Sequence, residues 1–354
     1  MNYRRLGASG LKVSEVALGS WTTYGGSVAE ADAVRIIQRA FELGINTFDT
    51  ADVYARGAAE RALGAALKSL PREQVVVATK VMGRVWEGPL GAGLSRKHIF
   101  DAMDQSLRRL GLDYVDLYQA HAPDKDAPLE ETLGAFDDLV RAGKARYIGF
   151  SNFDRDPKLA PRAVAIQKAR GWRAFVSSQP RWSLLDRHIE PEHLGFCRRN
   201  RLGILAYSPL AQGVLTNKYA GGKIPEGSRG TTQFAHFLTQ EKALTPENLA
   251  ATERFAAWGA QRGIASLAPV ALAWVLRHAE VSSAIVGATS VAQLEQDLKY
   301  AEVQLGDDEW AEIEAAIAGR AVRARARVKR APQARAVKAR AGAKVASRAR
   351  AAKA

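Results

Sequence analysis

Eight short β-rich runs recur along the chain at a nearly constant pitch, and this rhythm restricts the fold more than any other feature. They cover residues 16–18, 45–48, 75–78, 115–118, 146–149, 175–178, 204–206 and 284–286. Most starts lie about thirty residues apart, the length of one strand–helix unit. The runs are largely apolar, as in Val75-Val76-Val77-Ala78, which suits strands covered on both faces and hence a parallel sheet. Between them, apolar residues fall at helical spacing and stop at glycine. Val34, Ile37 and Phe41 precede Gly44; Ile99, Met103, Leu107 and Leu110 precede Gly111; Leu133, Phe136 and Val140 precede Gly143. Eight such units favour an α/β fold closed into a (β/α)8 TIM barrel over an open doubly wound sheet.

Two segments break the rhythm. Before the first run, the stretch from Arg4 to Val13 carries Gly7 and Gly10 and reads as a small β-hairpin that can plug the bottom of a barrel. Between the seventh and eighth runs lies an insertion over 216–246, rich in Gly, Thr and Lys. It follows the C-terminal end of a strand, so on a barrel it overhangs the active face.

The charge is unevenly placed. Of 51 Lys and Arg residues, 13 fall in 320–354, where there is no Asp or Glu; the remaining 38 face all 37 acidic residues, a net of +1 against +14 for the whole chain. A neutral barrel over 1–319 and a separate basic tail over 320–354 are therefore expected. The tail alternates Ala with Arg or Lys, holds Pro332 and Gly342 and has no aromatic residue, so it cannot bury a core and is expected to be disordered on its own. Such a segment binds nucleic acid or another polyanion through counterion release, or serves only as a solubilising appendage; both readings stay open. No apolar run is long enough to cross a bilayer, no secretory signal is expected at the N-terminus, and Cys197, the single cysteine, permits no intrachain disulfide. A cytoplasmic setting is expected, with no membrane partner. The sequence does not fix an oligomeric state.

Barrel enzymes carry their reactive groups at the C-terminal ends of strands. The second run leads into Asp49-Thr50-Ala51-Asp52-Val53-Tyr54, the third ends in Thr79-Lys80, and the fourth leads to Gln119-Ala120-His121. A carboxylate, a phenol, an ammonium and an imidazole thus fall at adjacent positions on one rim. Taken singly, each has an ordinary structural explanation: an ion pair, a packed ring, a satisfied core histidine. Together they make a tuned general acid. A free tyrosine, with a pKa of about 10, holds its proton tightly, and Lys80 would lower that value by stabilising the phenolate while Asp49 keeps Lys80 charged and oriented. His121 would donate a hydrogen bond to a carbonyl oxygen or relay the proton.

The opening from Tyr3 to Ser14 (Tyr-Arg-Arg-Leu-Gly-Ala-Ser-Gly-Leu-Lys-Val-Ser) and the Asp49–Tyr54 motif resemble the aldo-keto reductases. The resemblance runs from about Asn2 to about Ala318, and is nearest to the branch with voltage-gated potassium channel β-subunits and related bacterial reductases. It implies the barrel, NADPH, a small carbonyl substrate and the catalytic set Asp49, Tyr54, Lys80 and His121, with no metal. Ser151, Asn152 and Gln179 match positions that hold the nicotinamide carboxamide, and Tyr207, in Tyr207-Ser208-Pro209-Leu210, matches the aromatic that stacks on its ring. Gly19, Ser20 and Trp21 match the loop at the nicotinamide ribose, with Trp21, Trp86, Tyr54 and His121 expected around substrate. Gly213, Leu215 and Lys218 match the loop over the pyrophosphate, and Gly287, Thr289, Gln293, Gln296 and Asp297 match the adenosine-phosphate site. Lys218 and Arg229 would favour NADPH over NADH, because a 2′-phosphate calls for cations; solvated charges on a mobile loop are the alternative.

Two departures stand out. Ala55 follows the tyrosine where the family usually has glycine, and Trp182 stands where it often has tyrosine. Two other functions also remain open: a Schiff-base aldolase built on Lys80, and a nucleotide-sensing or partner-binding subunit with little turnover.

Overall fold

The computed structural model describes residues 1–320; the basic tail beyond Arg320 lies outside the described residues. Strands β1 (Tyr3–Arg5) and β2 (Lys12–Ser14) pair antiparallel as the expected hairpin. Eight parallel strands follow: β3 (Val16–Gly19), β4 (Thr47–Asp49), β5 (Val76–Val81), β6 (Val115–Ala120), β7 (Ala145–Ser151), β8 (Ser177–Gln179), β9 (Gly203–Tyr207) and β10 (Val281–Val286). They hydrogen-bond in sequence order, and β10 closes the circle on β3. Helices α1 (Glu30–Glu42), α2 (Ala58–Leu67), α3 (Arg96–Leu110), α4 (Leu129–Arg141), α5 (Leu159–Arg170) and α6 (His193–Asn200) fill the crossovers. Between β9 and β10 come α7 (His236–Gln240), α8 (Pro246–Ala260) and α9 (Ala268–Leu276), and α10 (Val291–Asp297) and α11 (Asp307–Ile317) follow β10. The expected closed barrel is thus present.

Local chemistry sets the boundaries. Ser95 caps α3 by accepting from the His98 backbone N–H, and Gly111, at φ +67°, turns the chain at the other end while its N–H bonds the Leu107 carbonyl. The second and sixth strands start later than their apolar runs. The Ile45 N–H closes α1 on the Ala40 carbonyl, and the Phe175 N–H goes to the Gln167 side chain, so neither joins the ladder.

The hairpin closes the N-terminal end of the barrel. Leu6 is fully buried in one apolar cluster with Ala17, Ala78, Leu117 and Leu205 from the strands. Gly7, at φ +58°, lies so close to the barrel that a Cβ would stand 2.4 Å from the Arg201 carbonyl oxygen. The Arg4 guanidinium donates to the carbonyls of Leu276 at 2.7 Å and Val281 at 2.8 Å, and pairs with Glu15. With that end plugged, the opposite end is the open face.

Candidate active site

Four side chains predicted from three consecutive strand ends meet on that face. Asp49 ends β4, Tyr54 begins the short turn after it, Lys80 lies in β5, and His121 follows β6. The Lys80 ammonium donates to Asp49 Oδ1 at 2.6 Å, to the Thr50 carbonyl at 2.8 Å and to Tyr54 Oη at 3.2 Å. Tyr54 Oη stands 3.3 Å from His121 Nε2. The second carboxylate oxygen of Asp49 accepts from Gln179 Nε2 at 2.9 Å, tying the cluster to β8. All three Lys80 donors are engaged and its side chain is fully buried, so it is not free to attack a carbonyl.

The phenol does not behave as the sequence reading expected. Burial, reinforced by the nearby Asp49 and Asp52 carboxyls, pushes Tyr54 well above its ordinary pKa, not below it. Asp49 offsets the charge of Lys80 at contact distance, and burial in turn holds the Lys80 ammonium below its usual value, with Asp49 countering part of that. Burial and the Lys80 charge take His121 down to about 3, so its imidazole is neutral at physiological pH. Tyr54 is therefore protonated, and His121 beside it is a neutral hydrogen-bond partner.

Asp49, Tyr54 and His121 border a cleft of about 760 Å³, of the size that takes a nucleotide-sized ligand. Gly19 and Trp21 line it from the loop after β3, Ser151 and Asn152 from the end of β7, and Gln179 from β8. Tyr207, Ser208, Pro209, Leu210, Gly213, Lys218 and Arg229 line it from β9 and the segment beyond. Gly287, Thr289, Gln293, Gln296 and Asp297 close its far end at β10 and α10. One polar row is already ordered: Tyr207 Oη donates to Asn152 Oδ1 at 2.9 Å, Asn152 Nδ2 to the His121 carbonyl at 2.9 Å, and Ser151 Oγ to the Gln179 carbonyl at 2.7 Å.

Other expected residues are not on the cleft surface. Trp86 lies elsewhere, with its ring 4.7 Å from that of His98, so the structure does not bring it to Tyr54. Ser20 is buried with its hydroxyl on Thr50 Oγ1 at 2.8 Å, and Leu215 packs inside the core. Trp182 also turns away from the cleft, bonding Glu190 and packing against Trp274 and His278.

The cleft includes residues that sequence reasoning missed. Gln212 donates to the Phe237 carbonyl at 3.3 Å and accepts from Arg229 at 2.9 Å; Arg155, Phe234 and Phe237 also line the walls. Gln212 sits within the Ser208–Gly213 stretch and was within reach of the resemblance, whereas Phe234 and Phe237 lie in an insertion without periodicity. Backbone strain gathers here too. Thr22, Ala55, Asn152, Ser208 and Gln212 all line the cleft in left-handed conformations, which cost on the order of 1–3 kcal/mol each for a residue other than glycine. The Ala55 departure thus sits at φ +47°, where glycine is the relaxed choice.

The far end fits an anionic, polar ligand. Tyr219 Oη, Ser228 Oγ and Asp297 Oδ2 are buried, face no protein partner and belong to residues lining the cleft. Among the described residues the Arg229 guanidinium forms no ion pair, and it lies 5.3 Å over the Trp21 ring. Burial pushes Asp297 up to about 7, with Lys218 countering. A guanidinium outside any ion pair, beside unpaired donors and acceptors, suits phosphates and a heterocycle.

A parallel barrel with a buried lysine–carboxylate pair behind a cleft-facing phenol defines a class of barrel oxidoreductase. The match is direct: the aldo/keto reductase family model covers residues 15–318, and the chain belongs to that family. A rice (Oryza sativa subsp. japonica) protein named "Probable voltage-gated potassium channel subunit beta" is 37% identical over 308 residues, 86% of this chain and 92% of that one. The L-glyceraldehyde 3-phosphate reductase of Escherichia coli O157:H7 is 36% identical over 328 residues, 90% of this chain and 93% of its own. Among the described residues no helix is long and apolar enough to cross a membrane.

Proposed function

We propose that this aldo-keto reductase reduces aldehydes or ketones to alcohols with NADPH, Tyr54 giving the proton. The observation that carries this reading is the position of Tyr54 Oη on the cleft, 3.2 Å from Lys80 Nζ and 3.3 Å from His121 Nε2. When bound, NADPH supplies the hydride. Tyr54 holds a proton against the carbonyl oxygen and releases it as charge builds there; Lys80 stabilises the phenolate left behind, and Asp49 keeps Lys80 in place. His121, neutral, steadies the same oxygen, and Trp21 forms an apolar wall beside it. Ser151, Asn152 and Gln179 suit a carboxamide, and Tyr207 offers a ring to stack on. Lys218 and Arg229 supply the positive charge that favours NADPH over NADH. The seclusion of Lys80 speaks against an aldolase. A lone buried cysteine suits a cytoplasmic setting.

Purified protein should quench NADPH fluorescence and oxidise NADPH with members of a panel of aldehydes, ketones and α-dicarbonyls. Neither binding nor oxidation would remove the proposal. Relatives named as potassium channel β-subunits favour a second reading, a nucleotide-sensing subunit with little turnover; tight NADPH binding, with residual turnover equal in wild type and Tyr54→Phe, would select it.

For the tail over 320–354, we propose nonspecific binding to nucleic-acid phosphates. Its 13 cations include no acidic neighbours, and no aromatic residue is present to stack on bases. Full-length protein should be retained on duplex DNA, with the logarithm of its affinity falling linearly in log salt at a slope of about 0.9 per phosphate contact. Deleting 320–354 should abolish retention and leave NADPH turnover unchanged; retention that survives the deletion would contradict the assignment.

A further inference from the structure

The segment between β9 and α8 forms the roof of the cleft; Leu215, Tyr219 and Leu238 root it in the core, and its α7 end meets the barrel on two sides. On one side, Phe237 of α7 sits 4.9 Å from the Trp21 ring, and the Phe234 ring packs where a Cβ on Gly26 would stand, 2.6 Å away. On the other side, Glu241 caps the C-terminal end of α7, and a single guanidinium holds that residue twice. Arg181 donates to the Glu241 backbone carbonyl at 2.8 Å and pairs with the Glu241 carboxylate.

Arg181 is a rigid post. The strand segment that bears it pairs with Tyr207, the Tyr207 N–H bonding the Pro180 carbonyl at 3.0 Å and the Trp182 N–H bonding the Tyr207 carbonyl at 3.3 Å. The Arg181 side chain also pairs with Asp186. Asp186 is braced in turn: His188 Nδ1 stands 2.6 Å from it, and His188 Nε2 stands 2.7 Å from Asp154, on the same loop as Asn152. The two carboxylates raise His188 to about 9, so this brace is ionic at neutral pH. Five charged groups thus run from Asp154 to Glu241, and the contact between Arg181 and Glu241 ties this end of the roof to the chain.

We propose that Arg181 is a positioning residue, a latch that holds α7, with its Phe237 and the preceding Phe234, over the cleft and so sets how fast nucleotide enters and leaves. Arg181 does not line the cleft, so its effect runs through Glu241 and the roof. The nucleotide part of this inference rests on the proposed NADPH reading; the mechanical part does not.

Two measurements on the full chain separate them. In nucleotide-free protein, Arg181→Met should speed hydrogen exchange at the backbone amides of 236–241, and Glu241→Ala should do the same. With NADPH, Arg181→Met should raise the release rate followed by fluorescence about three- to tenfold. Its single-turnover rate at saturating NADPH should stay within about twofold, so that the loss appears in nucleotide binding and not in chemistry. Arg181→Lys, which keeps the charge but not the two-point grip, should fall between wild type and Arg181→Met. If wild type binds NADPH and Arg181→Met releases it at the wild-type rate, the latch is overturned. If wild type does not bind NADPH, the cofactor reading fails, and unchanged exchange at 236–241 in both variants would then dispose of the latch as well.

Discussion

Replacing Tyr54 by phenylalanine is expected to lower kcat by about 10²- to 10⁴-fold, the range over which a positioned proton donor contributes. The substitution removes one oxygen from a site where Lys80 and His121 both meet it, and leaves the ring in place. NADPH affinity should therefore change by less than about twofold, because the ordered polar row of Ser151, Asn152, Gln179 and Tyr207 does not depend on Tyr54. The direction of the phenol's shift adds a pH signature. Tyr54 sits well above its ordinary value and His121 near 3, so neither group changes charge between about pH 5 and 9 in the free protein, and kcat/KM should show no histidine inflection there. An inflection near pH 6.5, abolished in His121→Gln, would contradict a neutral imidazole.

Lys80→Met is expected to be more damaging to the molecule as a whole. Lys80 is fully buried and Asp49 nearly so, and breaking such a pair by removing one partner costs about 3–5 kcal/mol, because the remaining charge loses its compensation. Urea denaturation should report that loss. The double variant Asp49→Asn with Lys80→Met should recover much of it, since no carboxylate is then stranded. Activity should fall by about 10²- to 10³-fold in the single variant, as expected when a donor aimed at developing charge is removed, and should not return in the double variant. Stability recovering without activity would separate the structural work of the pair from its chemical work.

The barrel and the four-residue cluster on its rim were legible for the same reason. In a parallel barrel every strand points its C-terminal end at one face, so reading consecutive strand ends is reading one rim. Asp49, Lys80 and His121, together with Tyr54 on the turn after β4, needed no knowledge of loop paths to be grouped. The loops were harder. Trp86 was assigned to the substrate from its place after β5, but it turns to His98, a choice set by packing with α3 that no spacing reveals. Phe234, Phe237 and Glu241 define the roof through contacts with Trp21, Gly26 and Arg181, all of them remote in sequence. The direction of the Tyr54 shift departs from the sequence expectation because its neighbours were visible in the sequence and its burial was not: a lysine alone would lower the phenol, whereas a lysine already matched by Asp49 in a dry pocket does not.

The most direct test of the central claim follows one atom. NADPH carrying deuterium at the transferable C4 position should be mixed with an accepted aldehyde and the protein, and the alcohol product analysed by mass spectrometry and NMR. The account predicts one deuterium per product, on the former carbonyl carbon, with the hydroxyl proton drawn from solvent. Product that forms without the label, or that carries solvent deuterium on carbon when unlabelled NADPH is used in heavy water, would contradict it.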